Sequence, residues 1–266
     1  MGHLPRARTI VLALAAFLIA LAGSPPGVAV DAQAATAVSK AASAALPLGR
    51  AVANAIEPAP EAPERETGHL LVEVTRPMRV TARPGGGRVV GTMPEGSRFY
   101  DQPIVAWVID LSDDGRFGLV PVPYAGTDVT GWIPLRGLER RTTHIEVHAD
   151  LSEHRIVVLR GDRVLFRAPA ATGAAVSPTP VGHYFVTDRV AFPSGGSLGT
   201  FAFGISGIQT DLPPGWSGGD QLAIHGTNAP GTIGTSASAG CLRVSEQALD
   251  RLRPLLRPGT PVIVVR

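Results

Sequence analysis

The 266 residues hold one cysteine, Cys241, and a histidine, His225, precedes it by sixteen positions. A thiol with an ordinary pKa of about 8.5 is mostly protonated at neutral pH, and its thiolate is the nucleophilic form. An imidazole within reach can take that proton, or pair with the thiolate as imidazolium, and later protonate a leaving amine. That is the equipment for acyl transfer through a thioester. Taken singly, a free cysteine is a small buried hydrophobe and a lone histidine is a structural one. The neighbours separate the two readings.

Those neighbours run Ile224-His225-Gly226-Thr227-Asn228 and, further on, Thr235-Ser236-Ala237-Ser238-Ala239-Gly240-Cys241-Leu242-Arg243. Gly240 allows a sharp turn and brings a backbone amide close to a substrate carbonyl, as an oxyanion hole requires. Arg243, two positions past the cysteine, shares its side of an extended segment. Its fork of donors suits a carboxylate. Asn228 and Ser238 are turn-forming types, and Ser238 also stands among the candidate substrate contacts. No His/Cys/Asp cluster has zinc-ligand spacing, and no Gly-rich phosphate loop precedes a helix. Neither metal nor cofactor is expected.

Ile224 through Arg243, with Pro230, Ile233, Gly234 and Ser238 in register, resembles the signature of L,D-transpeptidases with a YkuD-type catalytic domain. Thr179-Pro180-Val181-Gly182 is similar to that family's T-P-x-G element. The resemblance implies a β-sandwich-like catalytic domain over residues 144–266, with a thioacyl-enzyme on Cys241 and His225 as general base. It also implies that the backbone carbonyl of Gly226 orients the imidazole. Peptidoglycan stem peptides are the implied substrates, and carbapenem-type β-lactams the implied covalent inhibitors. One departure stands at Ala239, where many members carry histidine, so His225 is the only motif histidine. An acceptor amine would resolve the thioester into a cross-link. Water would instead trim the stem, a carboxypeptidase-type activity. A wall-binding pseudoenzyme is the third reading, and retention of both Cys241 and His225 argues against it.

A scaffold of turns and short strands must position these residues. Charged residues make up only 17%, and 31 Gly and 24 Pro punctuate the chain, which points to a mainly β protein with one or two short helices. Runs at 145–148, 155–159 and 164–168 read as a hairpin series. Residues 193–219 are rich in Gly, Pro and Ser with weak periodicity, and read as a long loop, a lid or groove wall. Ser245 can cap a helix presenting Ala248, Leu249, Leu252, Leu255 and Leu256 on one face, with an end near Arg253 forced by Pro254. Pro258-Gly259 then turns the chain into a last strand at 262–265.

Upstream, residues 68–141 hold short β-like runs between turn signals. The pieces 80–87, 91–97, 114–122 and 130–134 resemble bacterial SH3-like domains, which implies a small antiparallel barrel. Tyr100, Trp107 and Trp132 read as core or strand-pair aromatics of that barrel. Residues 35–66, rich in Ala and Pro, read as a linker. Before them, Arg6 and Arg8 precede an apolar run of thirteen residues, and Ala32-Gln33-Ala34 fits a cleavage pattern, so 1–34 reads as a signal peptide. The run is short of the roughly 17–25 residues of a membrane span. An exported protein, in the periplasm or cell wall, is expected, touching the membrane only through its export signal. Net charge is +2 and no basic run interleaves with aromatics, so nucleic acid is set aside.

Overall fold

β-Branched and aliphatic runs broken by Gly and Pro give strands nearly throughout. A computed structural model describes residues 68–266; the expected signal peptide and linker lie outside them. The first strands are β1 (His69–Glu73), β2 (Met78–Arg83), β3 (Gly86–Met93), β4 (Val105–Val108), β5 (Asp110–Leu111), β6 (Phe117–Pro121), β7 (Thr130–Pro134) and β8 (Arg140–Thr143). Where the sequence suggested a small barrel, they pair as two antiparallel sheets, β4-β1-β8 and β3-β2-β7-β6-β5. The two share one core, in which Val72, Val80, Met93, Ile104, Val120 and Ile133 are fully buried. Trp107 belongs to that core, and Trp132 pairs across the sheet with Thr81 and Leu119. Tyr100 departs from its core assignment and lies exposed.

The strands of the second half are β9 (Ile145–Asp150), β10 (Arg155–Arg160), β11 (Arg163–Pro169), β12 (Thr172–Gly173), β13 (Gly182–Ala191), β14 (Phe201–Ile208), β15 (Gln221–His225), β16 (Ser236–Ser238), β17 (Leu242–Arg243) and β18 (Pro261–Val265), with helix α1 (Glu246–Leu252) before the last. Eight of them hydrogen-bond in the order β11-β10-β9-β18-β13-β14-β15-β17, and β12 and β16 form a separate parallel pair. Where the sequence suggested a sandwich-like domain, the strands form one continuous run. Its two ends, Phe166 of β11 and Leu242 of β17, contribute to the same core, so the run curls over itself. The turn happens along β13, whose first residues pair with β18 and whose later residues pair with β14.

β14 corrects the expected long loop at 193–219. It is buried on both faces, with Ala202, Phe203, Ile205 and Ser206 all inaccessible. A central strand of that kind shows no alternation, and its glycines read as loop. Gly207 is there because a side chain would collide with the Tyr184 ring. The terminal helix forms as read. Ser245 Oγ accepts from the Ala248 amide at 3.2 Å, and Ala248, Leu249 and Leu252 are buried.

Period-two alternation on β13 ties the two halves together. Tyr184 faces the second core, whereas its neighbour Phe185, fully buried, is part of the first. Ser97 donates to the buried Asp188 carboxylate, and Gln102 exchanges two hydrogen bonds with the Arg189 backbone, of 3.0 and 3.1 Å. The Tyr124 amide donates to Ser206 O at 2.9 Å. The described residues accordingly lie within one compact unit. Truncating Phe185 to Ala should cost about 3–5 kcal/mol, and the whole chain should still melt in one transition. Calorimetry checks this: two separated transitions in F185A or wild type would show that the halves are independent.

Candidate active site

Strand pairing sets the site. β15 and β17 run parallel with Ile224 opposite Leu242 and His225 opposite Arg243. Ile224 and Leu242 are buried in the core. Alternation therefore sends His225 and Arg243 to the opposite face, together with Cys241, which immediately precedes β17. Cys241 is half-buried, with Sγ 3.9 Å from the carbonyl oxygen of Gln221.

His225 is 3% exposed, and its Nδ1 lies 2.6 Å from Gly226 O. A carbonyl only accepts, so Nδ1 carries the hydrogen and Nε2 is left as the free acceptor. Burial pulls the imidazole down to about 4; the Gly226 hydrogen bond opposes this and the charge of Arg243 adds to it. Burial also pushes the Cys241 thiol above its ordinary range, against a backbone hydrogen bond at Ala223 and the charge of Arg243. Both shifts favour uncharged forms, so the resting pair is thiol and neutral imidazole, not thiolate and imidazolium.

The backbone around the pair is tightly held. The Val244 amide donates to His225 O at 2.9 Å, and the Gly226 amide donates to Phe201 O at 3.2 Å. A Cβ on Gly226 would lie 2.3 Å from Glu246 Oε1 and 2.9 Å from Gly199 Cα. Gly240 has φ of +108°, where only glycine is at ease, and a Cβ there would lie 2.4 Å from Gln209 Nε2. Arg243 is fixed by paired backbone hydrogen bonds with Ala171, of 2.8 and 2.9 Å. Its Nε is buried without a hydrogen-bond partner among the described residues. Thr179 of the T-P-x-G element accepts from the Gly173 amide at 2.8 Å, which holds β12 beside the segment leading into Cys241.

Two of the expected site residues are engaged with each other within the turn. The Gly240 amide, expected as an oxyanion donor, donates to Ser238 Oγ at 3.1 Å. Ser238, expected among the substrate contacts, is buried and donates to Cys241 O at 2.6 Å. These groups are spent on each other and shape the turn that presents Cys241. Asn228 lies exposed on the loop beyond His225. Sequence reading also passed over Gln209, which is buried against Gly240 and donates to Pro178 O at 2.8 Å. Its one signal was a polar residue ending an apolar run, in a stretch taken for loop.

Residues 144–264, the stretch that holds this site, match the family described as YkuD, L,D-transpeptidase catalytic domain. The chain is 30% identical over 105 residues to YkuD of Bacillus subtilis, covering 40% of this chain and 56% of that protein. It is 26% identical over 123 residues to YkuD of Bacillus licheniformis, covering 46% of this chain and 67% of that protein. The match thus takes in little more than half the length of the Bacillus subtilis relative. Among solved structures, L,D-transpeptidase 3 from Mycobacterium tuberculosis with a faropenem-derived adduct is similar at 20% identity, covering 65% of this chain and 78% of that one, with a TM-score of 0.39.

The neutral resting pair has a measurable consequence. A thiol raised by burial holds its proton at neutral pH, so iodoacetamide should alkylate Cys241 no faster than a free cysteine there. The rate should climb as pH rises past the ordinary thiol range. Peptide mass spectrometry after timed alkylation reads it out; fast labelling that stays level down to mildly acidic pH would mean a preformed thiolate–imidazolium pair.

Proposed function

We propose that this domain is a peptidoglycan L,D-transpeptidase that works through a thioacyl-enzyme on Cys241, with His225 as its base. The observation that carries the reading is the 2.6 Å contact of His225 Nδ1 with Gly226 O. It leaves Nε2 as the proton acceptor on the sheet face shared with Cys241. Sγ attacks the carbonyl that follows the L-centre of a donor stem while Nε2 takes the thiol proton. The tetrahedral adduct collapses as the imidazolium protonates the leaving amine, and the terminal D-residue departs. An acceptor amine then attacks the thioester, giving its proton to Nε2, and the expelled sulfur takes it back. The hydrogen bond to Gly226 O strengthens as the imidazole becomes cationic, which lowers the barrier without an acidic side chain.

Arg243 is the donor anchor in this reading. Its buried, unpartnered Nε is costly to leave unsatisfied, and a stem carboxylate supplies the missing acceptor. The SH3-like reading of residues 68–141 and the exported setting belong to the same proposal. Through Phe185 and Asp188, residues 68–141 brace the sheet that carries the site, which suits a domain that holds a wall polymer beside it.

Incubation with tetrapeptide-containing muropeptides should give cross-linked dimers and free D-residue, and C241A should give neither. Tripeptides alone would point to hydrolysis, and unchanged muropeptides would refute both. A carbapenem should add its mass to the wild type and not to C241A.

Loss of the charged contact at Arg243 should cost about 1.5–3 kcal/mol, roughly ten- to a hundredfold in catalytic efficiency, mostly as a higher donor requirement. R243K should recover only part, because a point charge cannot reproduce the fork. Steady-state kinetics on folded variants decides it: a wild-type donor dependence in R243A leaves Arg243 without a role in binding.

A further inference from the structure

The proposed base depends on one backbone carbonyl, and what fixes that carbonyl is a second question. Gly226 sits against Gly199: a Cβ built on Gly199 would come within 2.5 Å of Gly226 Cα. Gly199 has φ of +65° and leads into β14. Glu246, in the first turn of α1, lies over both glycines. Its Oε1 would be 2.2 Å from a Cβ on Gly199 and 2.3 Å from one on Gly226. The same oxygen accepts from the Thr200 amide at 3.1 Å, and Oε2 accepts from the Thr200 hydroxyl. Arg253 Nη2 donates to that hydroxyl at 2.7 Å and is itself held, since its carbonyl accepts from Arg189 at 2.7 Å.

We propose that Glu246 is a positioning residue for the base, its carboxylate clamping the Gly199–Thr200 backbone onto Gly226 so that the Gly226 carbonyl stays aimed at His225 Nδ1. The proposal rests on the reading of His225 as the base. The geometry supplies a closed path. Glu246 follows Cys241 by five positions on a segment whose Val244 amide already grips His225 O. The nucleophile's own chain therefore returns, through α1, to lock the far side of the base. Both glycines are needed, because any side chain at either would displace the carboxylate or the facing backbone. A single capping role for Glu246 explains neither contact: the helix is capped by Ser245, and both carboxylate oxygens bond to Thr200.

The test separates positioning from fold stability and from the catalytic reading itself. In protein with 15N-labelled histidine, His225 should show one tautomer, with hydrogen on Nδ1, in the wild type. In E246A the spectrum should become a mixture of tautomers. The rate of thioester formation with a carbapenem should fall roughly ten- to a hundredfold with little change in the concentration needed for half-saturation. E246Q keeps an acceptor for the Thr200 amide and should recover much of the loss. T200V, which removes only the hydroxyl contact, should fall between and serves if E246A does not fold. A single Nδ1–H tautomer in folded E246A or T200V overturns the proposal, even if melting temperature drops. Should the wild type acylate with neither carbapenem nor muropeptide, the functional reading fails, and the tautomer spectra still decide the role of Glu246.

Discussion

Two rungs of parallel pairing, Ile224 with Leu242 and His225 with Arg243, are the constraint on which the site depends. A slip of one residue would turn Cys241 and His225 toward the core and bring Ile224 or Leu242 to the surface. The register is secured from several sides. Leu222, Ile224 and Leu242 are buried together, the Val244 amide continues the pairing to His225 O, and Ala171 brackets Arg243. A parallel pair so short would not hold alone, since isolated ribbons are marginal even when antiparallel. It holds because β15 is bonded to β14 on its other edge, and β14 is central and buried.

The first half of the described chain reaches the site through a buried carboxylate. Asp188 on β13 is 1% exposed, and no cation bonds to it among the described residues. Its donors are the hydroxyls of Ser97 and Thr187 and the side-chain amide of Gln221, at 2.8 Å for Thr187 and 2.9 Å for Gln221. A buried carboxylate deprived of such donors would be severely costly. The arrangement therefore demands that Ser97, from one half, and Gln221, from the other, stay where they are. Gln221 begins β15, and its carbonyl oxygen faces Sγ of Cys241. The contact between halves is thus also a support beneath Cys241.

Much of the site was legible because it is local. The spacing of His225, Gly240, Cys241 and Arg243, the Ser245 cap and the Pro254 stop all lie within one stretch of thirty residues. What stayed hidden depends on partners far along the chain. The burial of β14 removes the alternation that marks a strand, and its glycines answer to Tyr184 and other neighbours on β13 and β15. Phe185 looks like an ordinary core residue of its own domain, and only three-dimensional pairing assigns it to the other core. The engagement of the Gly240 amide by Ser238 is a local bond, yet the sequence could not say whether that amide faced a substrate or its own turn.

The electrostatics of the neutral pair assign Arg243 a double effect. Its charge lowers both Cys241 and His225, favouring thiolate while disfavouring imidazolium, so its two effects oppose each other for a proton moving from one to the other. With the imidazole pulled down to about 4 and the thiol pushed up, that transfer is uphill before the two charges attract each other. In a buried setting their mutual attraction is large, because the dielectric that penalises each charge alone also strengthens the pair. Charge separation is therefore disfavoured for either group singly and tolerable only when both form together. A carboxylate seated on Arg243 would neutralise the field that depresses His225 and leave the Gly226 hydrogen bond unopposed by it. The same neutralisation raises the Cys241 thiol. In the proposed reaction a seated donor therefore strengthens the base and weakens the acid together, and the proton moves only as the two charges form in concert with attack.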